Sequence, residues 1–146
     1  MAGLPEFNRK IRLYASQVGD IGDAAAKAAS REVLFNLVRA TPVDQGIAIS
    51  NWQVGIGSAP SGEIPAYSYG DKGSTATANR AAALTAGMAQ IKGYKSGEGR
   101  AIHIVNNAKH IGELNRGRSK QAPADFIQTA VLAGRRAVQN LRVSFK

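Results

Sequence analysis

Thr41-Pro42-Val43-Asp44-Gln45-Gly46-Ile47-Ala48-Ile49-Ser50-Asn51-Trp52-Gln53-Val54-Gly55-Ile56 is the stretch where the chain changes from one kind of structure to another. Proline disfavours helical geometry at the residue before it, so a helix arriving from the N-terminal side must stop at Thr41. Asp44 can bond nearby backbone amides and Gly46 can take a positive φ, which makes the segment a corner. Beyond it, Ile47, Ile49, Trp52, Val54 and Ile56 form a strand-like run among mostly polar or small neighbours. The alternation slips between Ile49 and Trp52, leaving room for a bulge or a two-part strand.

On the N-terminal side of the corner, Ala26, Ala29, Val33, Leu37 and Ala40 recur at spacings of three and four, and Leu34 and Val38 widen the stripe. The Ala-rich run 24–29 has high intrinsic helix propensity. Asp20 or Asp23 could cap its start. Phe7, Ile11, Tyr14 and Val18 also fit a helical face, although Ile11 and Leu13 would equally suit a short strand.

On the C-terminal side, residues 57–75 alternate Gly, Ser, Pro and Tyr and read as a long loop, of the kind usually tied to function. A second helix is predicted from Ala78 to about Lys92, capped by Thr75 or Thr77, with Leu84, Gly87, Met88 and Ile91 as its stripe. A glycine-rich turn, 93–99, leads into a strand over 101–105. A short helical or irregular piece covers 108–114, and a basic turn follows at Arg116-Gly117-Arg118-Ser119-Lys120. Pro123 suits the first position of a final helix. Its predicted apolar stripe is Phe126, Ile127, Ala130, Val131, Ala137, Val138 and Leu141, expected to pack on the sheet. The order of elements predicts an α+β fold: one domain, 1–146, with a small, mostly antiparallel sheet against a long N-terminal helix, a middle helix and a C-terminal helix.

Composition narrows the function. The chain has 146 residues, 44% of them hydrophobic and 20% charged, an ordinary globular mixture. No apolar run approaches the ~20 residues that span a bilayer, and the first twenty residues hold no signal-peptide core. With no Cys, disulfides and thiolate chemistry are excluded. Net charge is +9, and it is segregated. Residues 1–70 carry six bases and six acids, whereas 71–146 carry thirteen bases and four acids. A polyanion partner, or a surface that must avoid self-association, accounts for such a balance.

Sequence motifs for catalysis are missing. Gly55-Ile56-Gly57 with Gly62 fails the dinucleotide pattern, because Pro60 takes the place of its last glycine. There is no phosphate-binding loop of the GxxxxGK[ST] form and no GxSxG elbow. His103, His110 and Glu113 meet the minimum for zinc only if the fold gathers them; the plainer reading keeps His103 in a strand and His110 in a loop. Asp20, Asp23 and Asp44 are explained by capping and turn bonds, so neither a catalytic pair nor a cofactor is expected. Trp52, the single tryptophan, reads as a core anchor, with an interface anchor as the alternative. The candidate interface or DNA-facing bases are Arg116, Arg118, Lys120, Arg135, Arg136 and Arg142.

Three stretches in order resemble a known family. Arg39 to Gly46 followed by Ser50-Asn51-Trp52 is similar to the "TPVDTG…SW" signature of the tail-completion and neck proteins of tailed bacteriophages, the group that includes the lambda minor tail component Z. Val105-Asn106-Asn107 followed by Ile111, Leu114 and Gly117 resembles that family's "N…YI..LE.G" element, and Ser119-Lys120-Gln121-Ala122-Pro123 resembles its "S.QAP" element. The structural motif is thereby Thr41, Pro42, Asp44, Gly46, Trp52, Gln121, Ala122 and Pro123. Four positions depart from the family: Gln45 stands for Thr, His110 for Tyr, Asn115 for Glu and Asp125 for Gly.

The resemblance implies a tail-terminator-like α+β fold and a non-catalytic structural protein of the virion, at the neck or the head-proximal end of the tail. It would assemble in the host cytoplasm as a homo-oligomeric ring. Its partners would be other copies of itself, the connector or portal adaptor, and tail tube, sheath or terminator proteins, with no membrane involved. The loop 57–75 and the segment 108–121 are the expected contact regions. The competing reading is a small basic DNA-binding protein that uses residues 71–146 on phosphates, and a small hydrolase is a distant third.

Overall fold

A computed structural model describes residues 4–141, with side-chain surroundings for Arg9 and from Ile21 onward. The Ala-rich segment belongs to one continuous 37-residue helix, α1 (Leu4–Ala40). Pro5 falls in its first turn, where a missing N–H leaves no bond unmade. The helix runs through Asp20 and Asp23, so neither caps its start, and no strand forms at Ile11–Leu13. Asp23 instead ties α1 to a later turn, its carboxylate accepting the Ser96 N–H. Hydrogen bonds from Ser96 hold the Asp23 carboxyl below the usual carboxylate range, with Lys27 and Lys95 adding to the shift. The face Phe7, Ile11, Tyr14 and Val18 lies outside the described side chains.

Thr41 ends α1 as the following proline requires. Its N–H and hydroxyl both donate to the Leu37 carbonyl, at 3.1 and 2.6 Å. The chain then turns through Gly46, whose φ of +90° favours glycine. The strand expected from Ile47 divides in two at this point. Ile47–Ser50 is a helical turn, α2, closed by Ser50 N–H to Gly46 C=O and Asn51 N–H to Ile47 C=O; only Trp52–Ile56 is strand, β1. The left-handed glycine aims the chain into a helical turn, and that turn buries Ala48, Ile49 and Ser50 together.

Residues 57–75 contain no helix or strand, and α3 (Ala76–Lys92) follows with Thr75 at its cap position. Its buried line is Asn79, Ala83, Gly87 and Ile91, with Leu84 and Met88 packed partly against the core. A 3-10 turn, Ser96–Glu98, precedes β2 (Ile102–Asn106), one residue later than the sequence suggests. The two strands pair antiparallel, from Trp52 opposite Asn106 to Ile56 opposite Ile102. Then come α4 (Ile111–Asn115) and α5 (Phe126–Gln139).

The layers are α5, α1, and then α3 with the sheet. α1 touches α5 on one side and α3, β1 and β2 on the other. Leu34, Val38, Ile49 and Ile91 are fully enclosed between α1 and the third layer, and Leu37 and Trp52 are nearly so. The final helix therefore packs on α1, not on the sheet. It also starts three residues after Pro123, and its inward line is Phe126, Ala130 and Gly134. Val131, Leu132, Val138 and Leu141 remain exposed. The approach is close at Gly134, where a Cβ would overlap the Val33 side chain and crowd the Ala29 carbonyl.

Candidate functional site

Residues from all three motif stretches meet at the corner after α1. The Trp52 indole, 4% exposed, donates from Nε1 to the Thr41 hydroxyl at 2.7 Å. Thr41 donates in turn to Leu37, so one buried chain of donors fastens β1 to the end of α1. Gln121 reaches across 78 residues of sequence to Val43 and pairs with it twice. The Val43 N–H donates to Oε1 at 2.9 Å, and Nε2 donates to the Val43 carbonyl at 3.1 Å. Ala122 is buried beside this pairing and Pro123 is exposed. Asn106 adds a further tie, donating from Nδ2 to the Ala48 carbonyl at 2.8 Å.

Asp44 does not make the local turn bond expected of it. Its carboxylate accepts the Lys72 N–H at 2.9 Å and its carbonyl accepts the Gly73 N–H, tying the corner to the end of the long loop. Lys72 holds a positive φ of 55° there.

Two side chains that sequence reasoning missed organise the rest of that loop. Asn51 accepts the Ile64 N–H and donates to the Ile64 carbonyl, both at 2.8 Å. Asn79 treats Ser68 the same way, at 2.7 and 2.8 Å. The remaining capacity of each amide goes to Ile47 and Gln53, and to Ser50 and Thr75. Both residues are fully buried and use two donors and two acceptors, all that a carboxamide has. Three carboxamides thus each bind one backbone residue of a loop as a neighbouring strand would. The available signal for Asn79 was an amide within an otherwise Ala-rich helix.

Asn115 performs a similar service for α5. Its carbonyl accepts the Asp125 N–H at 2.7 Å and its Oδ1 accepts the Ile127 N–H at 3.0 Å. An acceptor aimed at the first turn of a helix satisfies an otherwise orphan donor. Asp125 itself has a φ of +63°. Such a backbone favours glycine.

A cleft of about 230 Å³ opens beside the corner, lined by Asp44, Gln45, His110, Ser119 and Gln121 among others. His103 lies in β2 opposite Gly55, and His110 stands at the start of α4. Among the described residues no three His, Asp or Glu side chains are grouped to hold a metal. No described helix is long and apolar enough to cross a membrane.

The exposed-base candidates fall on two surfaces. Arg116, Arg118 and Lys120 lie on the turn between α4 and α5, where Arg118 meets Glu113 at 3.7 Å. Arg135 and Arg136 are exposed on α5, and Arg142 lies outside the described residues. Arg116, Lys120, Arg135 and Arg136 form no ion pair with any described residue.

No family model, curated protein or solved structure matches the chain.

Proposed function

We propose that this chain is a structural protein of a tailed-phage virion, a tail-completion or neck protein that forms a ring between head connector and tail and acts without catalysis. The observation carrying this reading is the convergence of the resembling stretches on one corner. Gln121 of the third stretch pairs with Val43 of the first, and Asn106 of the second ties to Ala48 beside it. Residues that share a motif because they share a fold should meet in this manner. The left-handed Asp125 at a family glycine position supports the same reading. Light scattering and electron microscopy of the purified protein should show rings, and the rings should complete tails or connectors in reconstitution. A strict monomer that joins neither overturns the proposal.

Exposed, unpaired Arg116 and Lys120 favour a second reading, contact with DNA phosphates. Affinity for duplex DNA would then fall steeply with salt, and reversing the charges at Arg116, Arg118 and Lys120 would flatten that slope. Absence of binding at low salt disposes of it.

A further inference from the structure

The layering places two unlike surfaces on opposite sides of α1. On one side, the outer face of α5 leaves Val131 54% and Leu132 49% exposed, with Val138 beside them. α5 contains Arg135 and Arg136 and no acid, and Glu32 of α1 lines a shallow cleft with Arg136. On the other side, the loop 57–75 rests on α2, β1 and α3 through Asn51, Ser50 and Asn79. It presents Tyr67 and Tyr69, 46% and 68% exposed. Around them stand the exposed carboxylates of Asp44, Glu63 and Asp71, outside any ion pair among the described residues, with Lys72 in the loop and Lys109 beside it, the Lys109 N–H donating to Glu63.

The two surfaces complement each other. One is aliphatic and cationic; the other is aromatic and mainly anionic. Tyrosines held on a fixed backbone lose little freedom on contact, which makes them effective anchors. The amide clamps at Ile64 and Ser68 supply that fixed backbone on either side of Tyr67 and just before Tyr69.

We infer that the outer face of α5 in one copy docks on the 57–75 loop of a second copy, head to tail. Two different patches on one subunit make a heterologous contact, and repetition of such a contact gives a ring where its rotation closes and an open filament where it does not. A self-matching patch would stop at a dimer. The inference rests on the ring reading above and names the surfaces that ring would use.

The test uses two double variants of the whole chain, Leu132→Glu/Arg135→Glu on α5 and Tyr69→Ser/Asp71→Arg on the loop. Wild type is measured first by light scattering across concentration, and circular dichroism confirms that each variant is folded. Loss of a central anchor weakens a contact by about 30-fold or more. Each variant alone should therefore be monomeric where wild type is a ring. A 1:1 mixture should give a two-chain species and nothing larger, because one intact loop can still meet one intact α5. Variants that assemble like wild type, or a mixture that stays monomeric, overturn the docking while a wild-type ring leaves the proposed function standing. A monomeric wild type overturns the docking, and one that also joins neither tails nor connectors overturns the proposed function with it. If either double variant fails to fold, the single changes Arg135→Glu and Asp71→Arg replace them. Each should weaken assembly and both together in one chain should restore it; no recovery overturns the inference.

Discussion

Gln121 shows how much one side chain can hold. Val43 is buried, and both of its backbone polar groups are met by the Gln121 amide alone. Gln121→Ala would remove both bonds and open the Val43 groups to the cleft that Gln121 lines, at a cost of about 0.5–1.5 kcal/mol. Chemical denaturation should show a lower midpoint at unchanged slope. Trp52→Ala should cost about 3–5 kcal/mol, because it empties a core site as well as removing a donor. Trp52→Phe, which removes the bond to Thr41 together with part of the ring volume, should cost less, about 1–3 kcal/mol. Asp125 runs the other way. Its left-handed backbone is strained for a residue with a Cβ, so Asp125→Gly should raise stability by about 0.5–1 kcal/mol. A fall in the melting temperature would mean that the Asp side chain contributes more than its backbone costs.

Between elements, the decisive contact is α1 against α5, and small residues set it. A side chain at Gly134 would displace the Val33 side chain and press on the backbone of α1. Gly134→Val should therefore cost about 2–3 kcal/mol, whereas Gly112→Ala, in open space on α4, should be neutral or slightly stabilising. This contact also marks where sequence reading stopped short. The corner at Thr41–Gly46 was legible because Pro and Gly act on their own backbone, and the Ala-rich helix was legible from local propensity. The face of α5 was not, because the pattern marks which residues are apolar and not which are covered. Val131 and Val138 fit the stripe and stay exposed, while Gly134, absent from it, is buried. In the same way, the alternation Ile47, Ile49 concealed a four-residue helical turn. Asn51 and Asn79 bind backbone atoms 13 and 11 residues away, and a backbone atom has no signature in sequence. Asp44 was read as making a local turn bond for the same reason, since its partner Lys72 lies 28 residues on.

For the molecule as a whole, the segregated charge resolves into separate surfaces. Of the basic half, the 116–120 turn faces outward near the motif corner, and Arg135 with Arg136 belongs to the outer layer. The loop carrying the exposed tyrosines stands on the opposite layer, with its acids unpaired. Length matters here as well as charge. At 37 residues, α1 rises about 55 Å, more than twice the roughly 21 Å of the 14-residue α5 that packs along it. A compact chain of this size has a radius of gyration of only ~15 Å. Such a rod adds hydrodynamic drag without adding mass. A single 15.4 kDa copy should travel through a sizing column slightly ahead of a sphere of its mass. Sedimentation should register the same excess friction, so copy number in any assembly has to be read from scattered intensity.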